Sequence, residues 1–376
     1  MRDNPCAGVA VREGKEERWW FRRLAQPLPH YLLPSLSTSP AASRAVCCYP
    51  WLLCIKASHR DMSGNGLGRK EKGSYGSPLM KLSAYVLALR PWSFSASLMP
   101  VLLGSTLASK ATGDISFVAL FTTALTALSV HAAGNVVNTY FDYVKGIDSK
   151  KSDDRTLVDQ LLSKDEIVTL GVILYSAGCV GFVILTMVTP ARLEHLALAY
   201  FGGLSSSFLY TGGVGFKYIA LGDVLILIQF GPMTVLFSYM VQVGHVHWAT
   251  ILYAVPLALN TEAILHSNNT RDLESDRRAG IVTLAILIGS TASELLYAVF
   301  LFTPYTMFAV WGIKYSVMLF LPLITIPEAF RLERHFRTGS KATIPQRTAK
   351  LNAYLGFLYV LACALSDPAK LPYILG

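Results

Sequence analysis

The sequence predicts an all-α, polytopic membrane protein. Of its 376 residues, 52% are hydrophobic and 15% are charged, and the mean hydropathy is +0.42, whereas soluble domains carry about 25% charged residues. The apolar residues fall into continuous blocks of roughly 20, the length that a helix needs to cross a bilayer. Because backbone groups in lipid must pair internally and the blocks do not alternate polar with apolar residues, helices are favoured over a β-barrel.

The apolar blocks predict nine transmembrane helices around a central cavity. In chain order they cover about residues 91–109, 115–143, 167–188, 196–215, 219–243, 248–267, 281–302, 305–326 and 351–365. Glycine-rich stretches such as YFGGLSSSFLYTGGVG fit close helix packing in lipid, where small residues let backbones approach each other.

The first 80 residues differ in composition from the rest and are predicted to form an N-terminal extension. They mix Arg, Glu, Pro, Ser and Trp without a period, and their apolar segment CCYPWLLCI is too short to span a bilayer. Met62 precedes a Gly-, Ser- and Lys-rich tract typical of a flexible tail, and Met62 is a candidate for the natural start. Residues 81–376 are then the membrane domain.

Basic residues are concentrated in alternate loops. The segment before the first span and the loops after the second, sixth and eighth spans are rich in Lys and Arg, whereas the opposite loops have few. The positive-inside rule therefore predicts a cytosolic N-terminus. The net charge of +9 is explained by this topology, so no nucleic-acid partner is predicted. The cysteines show no CxxC or zinc spacing, which argues against a thiolate metal site.

Two polar stretches lie at the cytosolic ends of predicted spans. The first, NVVNTYFDYVKGIDSKKSDDRTLVD, covers residues 135–159. Asn138 and Asp142 are four residues apart and share one helix face. Asp148 follows beyond Gly146, which is predicted to end the helix.

The second stretch, NNTRDLESD, follows the sixth predicted span, and its Asn268, Asp272 and Asp276 recur every fourth residue. Carboxylates at the edge of the hydrocarbon are costly unless they are paired or bind a ligand, and two facing acidic stripes repel each other. Mg²⁺ would remove this penalty, because it prefers oxygen ligands and is commonly held by one or two carboxylates plus a substrate phosphate. A solvated or capping role is the alternative for either stripe alone.

The predicted metal ligands are Asn138, Asp142, Asp148, Asn268, Asp272 and Asp276, and the predicted catalytic residues among them are Asn138, Asp142, Asn268 and Asp272. Basic residues accompany them on the same predicted face: Lys145, Lys151, Arg155, Lys217 and Arg271. Carboxylates for a metal, together with cations for the outer oxygens, suit a diphosphate. An apolar tunnel between helices would accept a hydrocarbon tail, which makes a polyprenyl diphosphate the predicted ligand. Mg²⁺ would neutralise the departing diphosphate.

These stretches resemble the UbiA superfamily of intramembrane prenyltransferases, and the likeness runs from about residue 84 to the C-terminus. The blocks that carry it include NTYFDYVKGID, KKSDDRTLVD, SFLYTGGVGFKY and EAILHSNNTRDLESD, and their detail is closest to the animal menaquinone-forming branch. The resemblance implies nine helices, two Asp-rich cytosolic motifs and a diphosphate-binding role for Tyr210. The common first motif is NDxxDxxxD. Here Thr139 and Gly146 stand at two of its Asp positions, and Asp148 supplies a displaced carboxylate.

The resemblance further implies transfer of a geranylgeranyl group from geranylgeranyl diphosphate to menadione in its quinol form, menadiol, giving menaquinone-4 (vitamin K2). It implies an integral protein of the endoplasmic reticulum or Golgi whose site faces the cytosol, with the mitochondrion as an alternative. Two other functions stay open: an isoprenoid-binding regulator of HMG-CoA reductase, and a prenyltransferase for another aromatic acceptor such as 4-hydroxybenzoate. His131 and Glu262 inside the spans are explained either by interhelical hydrogen bonds or by contacts at the site, and His266 is a candidate proton shuttle near the site.

Overall fold

The computed structural model describes residues 78–147 and 156–374, with side chains from residue 81. The predicted extension, residues 1–80, lies outside these ranges except for its last three residues. Within the described ranges the regular structure is helical, and β-pairing is limited to an isolated bridge between Ile219 and Val282. The all-α prediction is confirmed.

Eleven α-helices follow one another in the described part of the chain. They are α1 (Pro78–Leu89), α2 (Ser95–Thr112), α3 (Phe117–Val144), α4 (Lys164–Val188), α5 (Leu193–Leu209), α6 (Gly222–Val243), α7 (Ala249–Arg271), α8 (Leu273–Arg278), α9 (Leu284–Lys314), α10 (Ile326–Thr338) and α11 (Ile344–Leu365). Short 3₁₀ segments precede α2, α6 and α10 at Pro91–Ser93, Phe216–Tyr218 and Val317–Thr325, and a last one follows α11 at Pro368–Lys370.

Five of these helices, α3, α4, α6, α9 and α11, are long and apolar enough to cross a membrane, counted over the described ranges. A sixth span results if residues 81–93 and 95–112, which are bent by 53° relative to each other, cross together. Met187, Leu198 and Ile313 are 78%, 77% and 81% exposed on the outer surface, as side chains that face lipid are. Nine crossings with a cytosolic N-terminus remain predictions.

The predicted boundary between the seventh and eighth spans is wrong. α9 continues from Leu284 to Lys314, through the expected break before Tyr305. Pro304 lies inside this helix, and neighbouring helices and local adjustments make such prolines tolerable in membranes. The non-helical residue is Gly289, with φ of 80°. Residues 302–305 carry no charged side chain, so no polar loop separates the two predicted spans.

The core lies where α2, α6, α7, α9 and α11 pack together around fully buried aromatic side chains. Tyr239, Tyr253, Tyr297, Tyr359 and Phe308 are among the largest of these. The hydroxyl of Tyr359 donates to the backbone oxygen of Tyr253 at 3.0 Å, and that of Tyr297 pairs with Thr348 at 2.8 Å. Their polar ends are thus satisfied within an apolar core.

A cavity of about 240 Å³ lies between α2, α3, α5, α6 and α7. α6 borders it with a π-helical turn at Gln229–Met233 that contains Pro232. Proline lacks the N–H that a regular α-helix would use, and π turns of this kind are frequent at functional sites. Gln229, Phe230 and Met233 from this turn line the cavity. One wall of the cavity is therefore formed by this π-helical turn of α6.

Candidate active site

The first polar stretch ends α3 at the mouth of the cavity. Asn138 and Asp142 are buried on one face of the helix, as their spacing predicts. The Lys217 ammonium donates to Asn138 Oδ1 at 3.1 Å and to Asp142 Oδ2 at 2.6 Å. Tyr218 donates its hydroxyl to Asp142 Oδ1 at 2.9 Å. α3 ends at Val144, and Gly146 adopts the predicted left-handed conformation with φ of 71°.

The loop between α5 and α6 delivers Lys217 and Tyr218 to this position. The backbone N–H of Lys217 donates to Tyr210 O at 2.8 Å, which closes the loop. The loop is also joined to the segment before α9, because Ala220 N donates to Val282 O at 2.7 Å and Val282 N donates to Tyr218 O at 3.1 Å. These bonds fix Lys217 against α3 and bring the two polar stretches together.

The second polar stretch ends α7, and Arg271 spans its oxygens. The Arg271 guanidinium donates to Asn268 Oδ1 at 2.8 Å and to both oxygens of Asp272, at 2.8 Å and 2.6 Å. The expected continuous helical stripe is interrupted, because α7 ends at Arg271 and α8 begins at Leu273. The backbone of Asp276 still donates to Asp272 O at 2.9 Å, so the next carboxylate stays near the first.

Asp276 connects the two stretches electrostatically. Its side chain is buried, and burial raises its pKa to about 7; Lys217 and Arg271 oppose this shift, while Asp272 and Asp142 add to it. Charged groups of both stretches therefore act on this one carboxyl group. The cavity lining includes both Asn138 and Asn268, so one amide side chain from each stretch borders the same cavity.

The donor set of these residues fits Mg²⁺. Each Asn–Asp pair directs oxygens at one cationic nitrogen, that of Lys217 or Arg271, so each already has the geometry of a cation site. Within residues 81–147 and 156–374, no group of three or more His, Cys, Asp and Glu side chains is close enough to bind a metal alone. Mg²⁺ keeps several waters and takes phosphate oxygens beside one or two carboxylates.

Two further predicted residues lie at the same mouth. Lys145 places its ammonium 3.6 Å from the ring centroid of Tyr218, and burial lowers the pKa of this lysine, with Asp142 opposing the shift and Lys217 adding to it. Tyr210 lines the cavity together with Asn138 and Asn268. Asp148, Lys151 and Arg155 lie outside the described residues.

Sequence reasoning missed Tyr218 and Asn135. Tyr218 directly follows Lys217 in one 3₁₀ turn, and both side chains contact Asp142 near the end of α3. The adjacency of the two residues could have indicated that Tyr218 belongs to the site. Asn135 lies three residues before Asn138 and also lines the cavity. Residues at this spacing share one face of a helix. Arg90, which has a left-handed backbone with φ of 52°, lines the cavity as well.

The polar residues inside α7 form a separate buried cluster behind the site. His266 is fully buried and its Nε2 lies 3.1 Å from Ser293 O on α9. Its Nδ1 lies 3.8 Å from Asp223 Oδ1 at the start of α6. Glu262 is buried beside Asp223. His266 thus contacts both α6 and α9, and its role as a proton shuttle stays a prediction.

Comparison with known proteins assigns the family. The model of the UbiA prenyltransferase family matches residues 97–361. The chain is 64% identical over 287 residues to a UbiA prenyltransferase domain-containing protein 1 homolog of Drosophila melanogaster, covering 76% of this chain and 80% of the relative. It is 56% identical over 320 residues to UbiA prenyltransferase domain-containing protein 1 of Homo sapiens, covering 85% and 95%.

Solved structures share the fold at low sequence identity. A UbiA homolog from Aeropyrum pernix K1 without ligand has a TM-score of 0.57 at 13% identity, covering 71% of this chain and 97% of the homolog. A UbiA homolog from Archaeoglobus fulgidus bound to GPP and Mg²⁺ has a TM-score of 0.54 at 14% identity, covering 75% and 99%. With its helical fold, its two facing polar motifs and these relatives, the chain belongs to the UbiA prenyltransferase family.

Proposed function

We propose that this membrane prenyltransferase transfers a geranylgeranyl group from its diphosphate to a naphthoquinol such as menadiol, with Mg²⁺, and so forms the quinol of menaquinone-4. The observation that carries the proposal is the pair of Asn–Asp motifs at one cavity mouth, each contacting a basic side chain. The apolar cavity behind that mouth suits a hydrocarbon tail. The likeness to the animal menaquinone-forming branch supports the choice of acceptor.

The oxygens of Asn138, Asp142, Asn268 and Asp272 would hold the metal, and Asp276 would complete the set. When bound, Mg²⁺ supplies positive charge to the diphosphate oxygens as the allylic carbon–oxygen bond weakens. This use is in keeping with the Archaeoglobus fulgidus homolog bound to GPP and Mg²⁺. Asp148, which the family pattern adds as a ligand, belongs to the same proposal.

Lys217 and Arg271 would donate to the diphosphate. Both are charged donors at the cavity mouth, and charge-assisted hydrogen bonds to phosphate are among the stronger ones in proteins. Arg271 offers a planar fork that suits two phosphate oxygens at once. Lys145 and Tyr210 lie beside them, and the basic residues Lys151 and Arg155 are proposed to add to the same positive field.

The chemistry requires an electron-rich acceptor. As the carbon–oxygen bond breaks, its electron pair leaves with the diphosphate, and the allylic carbon becomes electron-poor. A ring carbon of the quinol supplies the electrons of the new carbon–carbon bond and then loses its proton. A quinone ring lacks the donating hydroxyls, so the reduced acceptor is the reactive form. The apolar walls exclude water, which would otherwise capture the allylic carbon.

The proposed setting is the membrane of the endoplasmic reticulum or Golgi, with the site facing the cytosol. The helices that are long and apolar enough to span a bilayer support membrane insertion, and the basic loops at the motif-bearing side support the orientation. Glycosylation-site scanning of the loops would test nine crossings directly, since a site inserted between the second and third spans should remain unmodified.

Product analysis tests the function. Membranes containing the chain would receive Mg²⁺, menadiol or 4-hydroxybenzoate, and prenyl diphosphates of several lengths, with mass spectrometry of the lipid extract. We expect prenylated menadiol, lost on chelation of Mg²⁺ and restored by its addition. Prenylated 4-hydroxybenzoate as the main product would overturn the acceptor. Binding of prenyl diphosphate without any product would favour a regulator, such as a partner of HMG-CoA reductase.

A further inference from the structure

The cavity carries a second polar wall, formed on α3 and near the start of α2. Its members are Ser93 and Ser97, which flank the start of α2, and His131 and Asn135 on α3. The other side chains that line the deeper cavity are mostly apolar, including Val130, Leu225, Ile226, Phe237 and Ile264. A few convergent polar groups in an apolar cavity commonly fix the orientation of a ligand that has a polar end. A prenyl tail has no polar end that could pair with these side chains, so they suit a different ligand.

Hydrogen bonds around His131 define its tautomer. Ser93 Oγ donates its proton to Arg90 O at 2.8 Å, so it acts as acceptor toward His131 Nε2, 3.2 Å away. Nε2 therefore carries the ring proton, since a neutral imidazole has one donor and one acceptor nitrogen. Nδ1 then accepts from Ser97 Oγ at 2.5 Å. The result is a directed chain from Ser97 through His131 to Ser93.

The chain of hydrogen bonds leaves acceptor capacity toward the cavity. Ser97 Oγ donates its only proton to His131 and keeps lone pairs for another donor. Asn135 uses its amide nitrogen, donating to Leu89 O at 2.9 Å and to Ser93 Oγ at 3.2 Å. Its side-chain oxygen has no hydrogen bond among the residues that the structure describes. A ligand that donates through a hydroxyl meets two acceptors on this wall.

Aromatic rings surround the same imidazole. The ring centroid of Phe94 lies 5.6 Å from that of His131, and the centroid of Phe230 lies 4.8 Å from it. Phe230 comes from the π turn of α6, which places it against α3. Of these two rings, that of Phe230 lines the cavity. A planar aromatic ligand can pack against it, because ring pairs at such separations are favourable.

We propose that this wall is the acceptor subsite: a hydroxylated aromatic ring lies against Phe230 and donates a ring hydroxyl to Ser97, which His131 holds as an acceptor. The inference rests on the proposed prenyl transfer. His131 is seven residues before Asn138 on the same face of α3, about 10 Å along the helix axis. This spacing leaves room for a bicyclic ring between His131 and the proposed diphosphate-binding mouth. His131 is then a positioning residue for the acceptor.

The test compares two ligands on the purified full-length protein in lipid nanodiscs. Menadiol, kept reduced, carries ring hydroxyls, whereas its 1,4-dimethyl ether cannot donate a hydrogen bond. We expect the native chain to bind menadiol at least tenfold more tightly than the ether, and His131→Phe, which keeps an aromatic ring, to lose that preference. Ser97→Ala should also lose the preference for menadiol over its ether. It replaces His131→Phe as the test variant if His131→Phe does not fold. Thr123→Val removes a buried hydroxyl from α3 that bonds only Ala119 O of the same helix, and it should retain the preference.

Kinetics provide the second readout. His131→Phe and Ser97→Ala should raise the KM for menadiol about tenfold or more and leave binding of geranylgeranyl diphosphate within about twofold. An unchanged preference for menadiol over its ether in a folded variant overturns the inference while leaving the prenyl transfer intact. Parallel weakening of donor and acceptor binding also overturns it, because that pattern reports a structural role. A native chain that prenylates no hydroxylated ring would remove both proposals.

Discussion

The Lys217 ammonium lies 2.6 Å from Asp142 Oδ2, with the lysine side chain 14% exposed and the aspartate 5% exposed. In the second motif, Arg271 lies 2.6 Å from Oδ2 of the neighbouring Asp272, whose side chain is 32% exposed. Each acidic motif thus has an internal cation where a metal would bind. Charge in a buried site must be balanced, so a ligand that brings Mg²⁺ to these carboxylates must move the basic side chains, and the diphosphate offers them a new partner.

Replacement of Lys217 by Met should have opposite effects on metal and on diphosphate. Mg²⁺ added alone should bind more tightly, because Asp142 and Asn138 lose their competing cation. Geranylgeranyl diphosphate with Mg²⁺ should bind about tenfold to a hundredfold more weakly, as expected for loss of a charged hydrogen bond of about 1.5–3 kcal/mol. Titration calorimetry with each component measures both.

The exposed Lys350 offers a matched control for Lys217, since Lys350→Met also removes one positive charge from the chain. It should leave both affinities within error. Weaker binding of Mg²⁺ alone to Lys217→Met would contradict the competition between lysine and metal.

Removal of either motif's carboxylate should abolish turnover without unfolding the chain. Asp142→Asn and Asp272→Asn each replace a charged ligand by a neutral one of the same shape, and we expect activity to fall about a hundredfold or more, in the range seen when an electrostatic group is removed from an active site. Initial rates with geranylgeranyl diphosphate measure this. Asp114→Asn changes an exposed carboxylate and should keep full activity. Full activity in Asp142→Asn would exclude the metal-ligand role.

Gly104 should tolerate no side chain, because α2 and α6 touch there. A Cβ at this position would lie 2.4 Å from Val235 O and 2.8 Å from Ser238 Cβ. Gly104→Ala should therefore lower the free energy of unfolding by about 1–3 kcal/mol, the cost of overpacking. Thermal unfolding in detergent measures the loss. At Gly202 on α5, a Cβ would meet nothing within 4 Å, so Gly202→Ala should be neutral or stabilising. Equal behaviour of the two variants would argue against this helix contact.

Glu262 should be replaceable by glutamine without loss of stability. Neither of its carboxyl oxygens has a hydrogen-bond donor among the described residues, and the neighbouring group is another acid, Asp223. An amide cannot repel Asp223 and offers it two donors, so Glu262→Gln should keep or raise the melting temperature. The exposed Glu274 gives the control, since Glu274→Gln should change nothing. A melting temperature several degrees lower in Glu262→Gln would show that the carboxyl group has a stabilising partner.

Several features of the site followed from local rules. The four-residue spacing of Asn138 and Asp142 placed both on one face of α3, and Gly146 ended that helix, because helix geometry and the left-handed preference of glycine act over a few residues. The break between Arg271 and Leu273 was not predicted. The four-residue spacing of Asn268, Asp272 and Asp276 looks the same in the sequence whether or not the helix is interrupted there. Tyr218 was missed because its contact with Asp142 joins residues 76 positions apart.

The amino-acid sequence by itself determined the helical membrane class, the spacing of the polar residues within each motif and the family resemblance, because hydrophobicity and helix period are properties of neighbouring residues. Only the tertiary structure decided which basic side chain meets which motif, where α9 ends, and that the serines near the start of α2 pair with His131 on α3. These outcomes depend on how helices distant in the chain pack against each other, and no local pattern encodes that packing.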